Sequence, residues 1–370
     1  MRIAYVVTRA DSVGGATVHV LEMACAMLQQ GHSAAVFIGR DGPAGRRLAE
    51  AGVPVQPLRF LQRAVRPDRD LLALFELTAA LREFHPDLVS THTAKAGWIG
   101  RAACAVLGIP AIHTPHGLPV GDRMPGARGV LFQAAEQAAG QWARAVICVC
   151  EHERKLALAY RIAPGRKLVT IPNGVRDIPK ELRANPGTAP VRIVSVARFE
   201  APKDHATLLR ALAMLPDLDW ELELVGDGPL LTECRELAAN LGIAGRVHFQ
   251  GYLTEVAAAL GRAQLFALSS RSEAMPRSVL EAMRAGLPVV ASDVGGLAEL
   301  IDNEVNGRLI PPGDAGALRA ALAGLIADGP RRLQLGAAAR LRYEAHFRLE
   351  CMIGKTVALY ETVLTHDAAQ

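Results

Sequence analysis

The sequence predicts an α/β protein made of two doubly wound parallel-sheet domains. Three observations carry this: short β-branched runs alternate with helical stretches, the alternation lapses and restarts near the middle, and 370 residues suit two domains that each bury a core. In the first half, Arg2–Thr8, His32–Gly39 and Asp87–Thr93 read as strands, and Gly15–Gln30, Asp70–Phe84 and Lys95–Leu107 as helices by their apolar spacing. Such alternation places helices on both faces of a parallel sheet. After residue 190 it recurs, with strands expected at Val191–Phe199, Trp220–Val225, Val247–Gln250, Gln264–Leu268 and Pro288–Ser292. Between the halves, Asp177–Pro190 has three prolines and no apolar periodicity, as a linker would. The expected domains are therefore 1–178 and 191–347, joined through 179–190 and followed by a C-terminal segment from 348.

Composition narrows the partners. Half the residues are hydrophobic, yet no apolar run approaches the roughly 20 residues that span a bilayer. The opening Met-Arg-Ile-Ala-Tyr-Val-Val reads as a first strand rather than a signal peptide, so cytoplasmic residence is expected. A net charge of +4 and a pI near 8.8 do not demand nucleic acid, and suit an anionic membrane surface or phosphorylated ligands. Cys25, Cys104, Cys148, Cys150, Cys234 and Cys351 show no Cys-x-x-Cys spacing and are expected to be reduced core thiols.

The most informative stretch is 270–296, Ser-Arg-Ser-Glu-Ala-Met-Pro-Arg-Ser-Val-Leu-Glu-Ala-Met-Arg-Ala-Gly-Leu-Pro-Val-Val-Ala-Ser-Asp-Val-Gly-Gly. Pro276 suits the first helical position and Gly286 the left-handed position past the end, which predicts a helix from about Pro276 to Ala285. The N-terminus of such a helix attracts a pyrophosphate, while Glu273 and Glu281 offer acceptors to hydroxyl groups, a combination suited to a nucleotide sugar. In Val196-Ala-Arg198-Phe-Glu-Ala-Pro-Lys203, two cations lie five residues apart at a strand end, where they can neutralise a departing diphosphate. Leu224-Val-Gly226-Asp-Gly228 reads as a strand running into a tight turn.

This text resembles the donor site of retaining glycosyltransferases of family 4, which have the GT-B fold. The resemblance implies two Rossmann-like domains facing across a cleft, with the last helix, here Leu349–Thr365, crossing back to the first domain. Arg198 and Lys203 match the family's Gly-Arg-x4-Lys element, with Ala197 in place of its glycine. With Glu273 and His116 they form the implied catalytic set. His116, ahead of Gly117, matches the histidine that touches the transferred sugar. Gly14, Gly15, Gly226, Tyr252, Leu253, Met275, Arg277, Ser278 and Glu281 are the implied donor contacts. Asp293–Gly296 is implied to lie beside the donor sugar.

Ser12-Val-Gly14-Gly15 follows the first strand and opens a helix, but it is not a Gly-x-Gly-x-x-Gly fingerprint, so NAD is not implied. On the acceptor side stand His19, one turn into that helix, and Lys95 and Arg101, cations near a helix start that suit a phosphate. His85, His92 and His113 also lie near strand ends. The Thr-Ala-Lys95-Ala-Gly97-Trp-Ile-Gly100-Arg101 text is similar to family members that extend glycans on polyprenyl-diphosphate or lipid carriers. Trp98, Ile99, Leu118 and Met124, if exposed near Arg123 and Arg128, would make an apolar and basic membrane-facing patch, and core packing explains the same residues almost equally well. Asp68-Arg-Asp70 and Asp217-Leu-Asp219 fit Asp-x-Asp, but each sits at an element boundary where aspartate is ordinary turn or cap chemistry, so no metal cofactor is expected.

The resemblance thus implies a retaining hexosyl- or N-acetylhexosaminyltransferase using a UDP sugar. Its acceptor would be a lipid-linked or membrane-proximal glycan in bacterial surface polysaccharide or lipopolysaccharide assembly, with the enzyme peripheral at the inner membrane. A sugar-nucleotide epimerase of the same fold and a non-catalytic sugar-nucleotide-binding subunit are the alternatives.

Overall fold

The computed structural model describes residues 1–11, 13–118, 120 and 126–368, which divide into two compact units. The first comprises 1–173 and the chain from Met352 onward, and the second Gly174–Cys351. In chain order the first unit runs β1 (Arg2–Val7), α1 (Gly15–Gln29), β2 (Ser33–Gly39), α2 (Pro43–Glu50), β3 (Val55–Leu58), α3 (Pro67–Phe84), β4 (Leu88–His92), α4 (Ala94–Leu107), β5 (Ala111–Thr114), α5 (Ala127–Trp142), β6 (Ala145–Cys148), α6 (Glu151–Ala159) and β7 (Leu168–Thr170). The second continues with β8 (Val191–Val196), α7 (His205–Ala213), β9 (Trp220–Val225), α8 (Leu231–Asn240), β10 (Val247–Gly251), α9 (Ala257–Arg262), β11 (Leu265–Leu268), α10 (Arg277–Ala285), β12 (Val289–Ser292), α11 (Leu297–Leu300), β13 (Gly307–Ile310), α12 (Ala315–Ala327) and α13 (Gly329–His346). A final helix, α14 (Leu349–Ala368), leaves the second unit and from Met352 packs with the first.

Both sheets are parallel, with strand orders β3-β2-β1-β4-β5-β6-β7 and β10-β9-β8-β11-β12-β13. Each order reverses once, between β1 and β4 and between β8 and β11. At such a reversal the two neighbouring strands send their chains to opposite sides, which opens a crevice at their C-terminal ends. The central strands are buried on both faces and read as continuous apolar runs, as in Ile3-Ala-Tyr-Val-Val7.

The expected strands and helices are present, with ends shifted by a few residues. Strand β8 stops at Val196 rather than Phe199, because Phe199 turns into the core and stacks on His205 with ring centroids 4.3 Å apart. Edge strand β3 carries Pro57, which has no N–H to donate to a ladder.

The segment 177–190 is not a free linker, for it is fastened within the second unit. Asp177 receives both outer nitrogens of Arg340 at 2.6 and 2.7 Å. The buried Arg332 donates to the Pro186 carbonyl at 2.6 Å and the Thr188 carbonyl at 3.0 Å, and the Ala184 amide bonds Ala285 at 2.8 Å. The absence of apolar periodicity thus reflects a strap held through its backbone by arginines of α13. Among the thiols, Cys104, Cys148, Cys150 and Cys234 are buried, whereas Cys351 is exposed, which corrects the core expectation for that residue.

The Arg340 guanidinium holds the Asp177 carboxyl down from 3.8 to about 2. The folded state therefore favours the charged form. The pair stabilises above the unfolded carboxyl's range and loses that contribution as pH falls from about 4 toward 2. Asp177→Asn should accordingly melt below the parent at neutral pH, with the gap closing across this window. Calorimetric melts between pH 7 and pH 3 check it, and a gap independent of pH would contradict it.

Candidate active site

In the second unit the loop leaving β8 begins as an extension of the sheet, with Ala197 bonded to the Val225 carbonyl and Phe199 to the Asp227 carbonyl, each at 3.0 Å. Gly226 faces this loop with φ 151°, and a Cβ there would collide with the Ala197 carbonyl, so only glycine fits. Arg198 projects between these anchors and pairs through Nε with Glu200 at 3.0 Å, both side chains being about one-third exposed.

A 3-10 turn over Ala201–Lys203 then carries Lys203 toward the loop leaving β11. Lys203 Nζ lies 2.5 Å from Glu273 Oε1, and Ser270 Oγ donates to the same oxygen at 2.7 Å. Glu273 is buried at 8% exposure, where a carboxylate requires a cation and hydrogen bonds. Asp204 completes the seam: it accepts Thr207 Oγ1 and Arg271 Nε at 2.8 Å each, while its carbonyl accepts Ser269 Oγ at 2.8 Å.

The helix α10 opens beside this seam. Pro276 takes the N-cap position, one residue before the expected place, and supplies no side-chain cap to the first-turn amides. Gly286 adopts the expected left-handed conformation, φ 81°. Met275 is buried, Ser278 and Glu281 are half-buried along the helix, and Arg277 Nη1 donates to the Gly174 carbonyl at 2.9 Å. Gly296 ties the loop after β12 to Ala274 at 2.8 Å. Tyr252 and Leu253 follow β10, the tyrosine half-exposed.

In the first unit Gly14 and Gly15 open α1, Gly14 half-buried and Gly15 exposed. A Cβ on Gly14 would meet no atom within 4 Å, so among the described residues nothing in the chain's own packing requires glycine there. His19, His92 and His116 converge from α1, the end of β4 and the loop after β5, with ring centroids 4.8 to 5.4 Å apart. His92 Nδ1 and His116 Nε2 share a hydrogen bond of 3.0 Å. His92 Nε2 lies 3.1 Å from Ser90 Oγ, which accepts from Tyr360 of α14 at 3.0 Å. Burial, with His116 and His113 nearby, pushes the His92 imidazole well below the usual histidine range, so it is neutral at pH 7.

His116 itself has φ 58°, costly for a residue with a Cβ. The buried Glu153 of α6 holds the loop there, accepting the amides of Gly117 at 2.7 Å, Leu118 at 3.1 Å and Val149 at 2.8 Å.

Comparison with known proteins assigns this architecture. Residues 13–177 match the family described as Glycosyltransferase Family 4, and residues 179–342 match Glycosyl transferases group 1. A D-inositol 3-phosphate glycosyltransferase of Geodermatophilus obscurus is 30% identical over 405 aligned positions, covering 97% of this chain and 87% of that protein. The chain belongs to the family 4 glycosyltransferases. The Escherichia coli UDP-Gal:alpha-D-GlcNAc-diphosphoundecaprenol alpha-1,3-galactosyltransferase is 26% identical over 265 residues, covering 66% of this chain and 68% of that one. Anabaena HepE, solved in complex with UDP and glucose, shares the GT-B fold at TM-score 0.84 and 21% identity, over 98% of this chain and 99% of that one.

Several residues of this glycosyltransferase lie elsewhere than its sequence suggests. Arg101 is fully buried, donating to Glu136 at 2.7 Å and to the Gly97 carbonyl at 2.8 Å, so it is an internal ion pair and not an acceptor ligand. Lys95 is likewise buried, 2.5 Å from Asp70 and bonded to the Ala64 carbonyl. The glycines between them serve packing: a Cβ on Gly97 would strike the His113 ring and one on Gly100 would strike Thr91. The text around Lys95 thus has a structural cause in the close seating of α4 on β4 and β5.

Of the two readings of the apolar residues around 98–124, membrane-facing patch or core packing, Ile99 and Leu118 follow the second. Ile99 and Leu118 are buried and Trp98 donates to Glu136 at 2.9 Å, while Arg123, Met124 and the Arg128 side chain lie outside the described residues. Asp70 caps α3 through the Arg66 amide at 3.1 Å, and Asp217 and Asp219 are exposed in the turn before β9.

Glu153 escaped the sequence reading because two of its three partners, Gly117 and Leu118, lie about 35 residues away, and no local motif marks such a clamp. Hydrogen bonds to a charged group contribute about 1.5–3 kcal/mol each. Glu153→Gln, which keeps the shape but not the charge, should destabilise the first unit by at least about 2 kcal/mol in urea melts. An unchanged midpoint would show that the clamp contributes nothing.

Proposed function

We propose that this glycosyltransferase retains anomeric configuration, uses a UDP sugar, and extends a lipid-linked or membrane-proximal glycan in surface polysaccharide or lipopolysaccharide assembly. The observation that carries the reading is the Lys203–Glu273 pair at the strand-order reversal, with Arg198 on the same loop as Lys203 and, following Glu273, a helix start whose N-cap residue Pro276 makes no side-chain cap. Two cations and a helix N-terminus suit a diphosphate, and the neighbouring carboxylates suit sugar and ribose hydroxyls. The printed names of relatives support the substrate class: one acts on a diphosphoundecaprenol-linked sugar with UDP-Gal, another is an O-antigen biosynthesis glycosyltransferase of Escherichia coli.

In this mechanism the acceptor oxygen attacks the anomeric carbon from the face that the leaving group departs. The bond from that carbon to the diphosphate oxygen breaks, and the leaving phosphate takes the acceptor's proton. Arg198 and Lys203 neutralise the charge that builds on the diphosphate. Glu273 positions Lys203, Glu281 accepts the ribose hydroxyls, and His116 contacts the transferred sugar. No metal is required, since protein cations and helix amides supply the electrostatic stabilisation. The deciding experiment offers labelled UDP sugars to the enzyme with a polyprenyl-diphosphate sugar or a free sugar as acceptor. Transfer to the carrier with the donor's anomeric configuration supports the reading. Inverted product, donor isomerisation, or preference for the free sugar would each overturn part of it.

Glu281→Gln should weaken UDP-sugar binding roughly tenfold, the loss of one charge-assisted hydrogen bond. Calorimetry showing undiminished affinity would remove Glu281 from the site. Arg198→Ala and Lys203→Ala should lower kcat more than they raise KM, because the charge they meet is greatest in the transition state. Activity should persist in EDTA, and loss restored by Mn²⁺ would reverse the metal-free reading.

Among the described residues no helix is long and apolar enough to cross a membrane. A peripheral contact fits the start of α3 and the loop before it. Val65, Leu71, Leu72 and Phe75 are 45 to 66% exposed there, next to exposed Arg59, Arg63 and Arg66. Apolar side chains rimmed by arginine suit an anionic bilayer surface. Sedimentation with vesicles of anionic lipid should fall several-fold for a Leu71→Ser, Phe75→Ser double variant, and equal sedimentation would refute this face as the contact.

A further inference from the structure

We propose that His19, His92 and His116 form a binding site for a divalent transition-metal ion of the zinc class, and that its occupation inhibits rather than supports transfer. One ring nitrogen from each residue falls within 4.8 Å of the others. A tetrahedral ion with bonds of 2.0–2.1 Å spaces its ligand atoms by about 3.3 Å. His92 Nδ1 and His116 Nε2 already stand 3.0 Å apart, and rotation of the half-buried His116 side chain and of His19 closes the rest.

The donor set selects the ion. Three imidazoles suit zinc, copper, nickel or cobalt, and disfavour magnesium and calcium, which need oxygen ligands. The surroundings also fit. A metal-binding histidine needs its second nitrogen held, and His92 Nε2 is held by Ser90 Oγ, which is fixed in turn by the Tyr360 hydroxyl. Glu153 holds the backbone around His116, so two of the three ligands stand on supported positions. His19 and His92 are buried at 4% and 1% exposure, whereas His116 is half-buried, which leaves a route by which an ion can arrive.

The inhibitory consequence rests on the proposed contact of His116 with the transferred sugar, because an ion on its Nε2 withdraws that nitrogen. The metal site itself does not rest on it. Activity indifferent to chelator and sensitive to zinc would distinguish this site from a metal-diphosphate site at Asp-x-Asp, where the metal would be required.

The test uses the full chain without a polyhistidine tag, stripped by chelator. Titration with Zn²⁺ against a chromophoric competitor is expected to give one equivalent bound, and Co²⁺ is expected to show the intense visible absorption of a four-coordinate ion. His19→Gln and His116→Asn should each weaken Zn²⁺ binding by about tenfold or more. Only variants whose circular-dichroism melts match the parent count, so a His92→Asn chain that fails to fold leaves two variants to decide. No stoichiometric binding by the parent, or undiminished binding by both variants, overturns the site. In a second arm Zn²⁺ is added to UDP-glucose hydrolysis. Inhibition reversed by chelator supports the whole proposal. One equivalent bound with undiminished hydrolysis keeps the site and overturns the inhibition, together with the role of His116 at the sugar.

Discussion

The candidate donor site depends on a single constraint, the reversal of strand order between β8 and β11. No crossover helix lies between the ends of these neighbouring strands, so their loops are joined directly, by the Arg271 amide on the Pro202 carbonyl at 2.8 Å and by side chains. The Lys203–Glu273 pair does this, with Ser270 on the same carboxylate oxygen and Asp204 tying both loops from the other side. A buried carboxylate without such partners would be expensive, so the loops are held where the charges are satisfied. Lys203 is thereby presented in a fixed place before any ligand arrives. Preorganised charge of this kind can stabilise a leaving group without reorganising at the moment of reaction.

The first unit meets the same constraint differently. At its reversal between β1 and β4, Thr8 and Thr93 hydroxyls lie 3.2 Å apart and Thr8 Oγ1 accepts the Ala96 amide at 3.0 Å, so neutral groups join the loops. Buried polar groups need partners, and here they are found in series: Tyr360 to Ser90, Ser90 to His92, and His92 to His116. Tyr360 belongs to the last helix, so the return of the chain from Met352 onward both covers the first unit and completes that series. The left-handed backbone at His116 persists because Glu153 over-determines the loop around it.

Much of the architecture was legible in the sequence. Apolar runs and helical spacing located the principal strands and helices, and the Pro276-to-Gly286 punctuation located α10 within one residue. The short strand β3 was not legible, since four residues containing a proline carry too little pattern. Segment 177–190 looked like a linker because most of its attachments are backbone groups, which leave no mark on composition, and the partner of its Asp177 carboxylate, Arg340, is distant in sequence. Lys95 and Arg101 looked like exposed cations at a helix start because their partners, Asp70 and Glu136, lie 25 and 35 residues away.

The sequence by itself determined what local chemistry determines: two parallel α/β sheets, the helix starts that follow their strands, and the residue types gathered near those starts. Only the tertiary structure decided which charges are spent internally and which stand at a strand-order reversal. Arg101 and Lys203 carry the same sign, and each follows within ten residues of a strand end. One is matched by a carboxylate inside the fold at 0% exposure, and the other is held at the crevice with a quarter of its side chain open. Burial and pairing are set by residues distant along the chain, so a charge's availability is a property of packing and cannot be read from its neighbours in sequence.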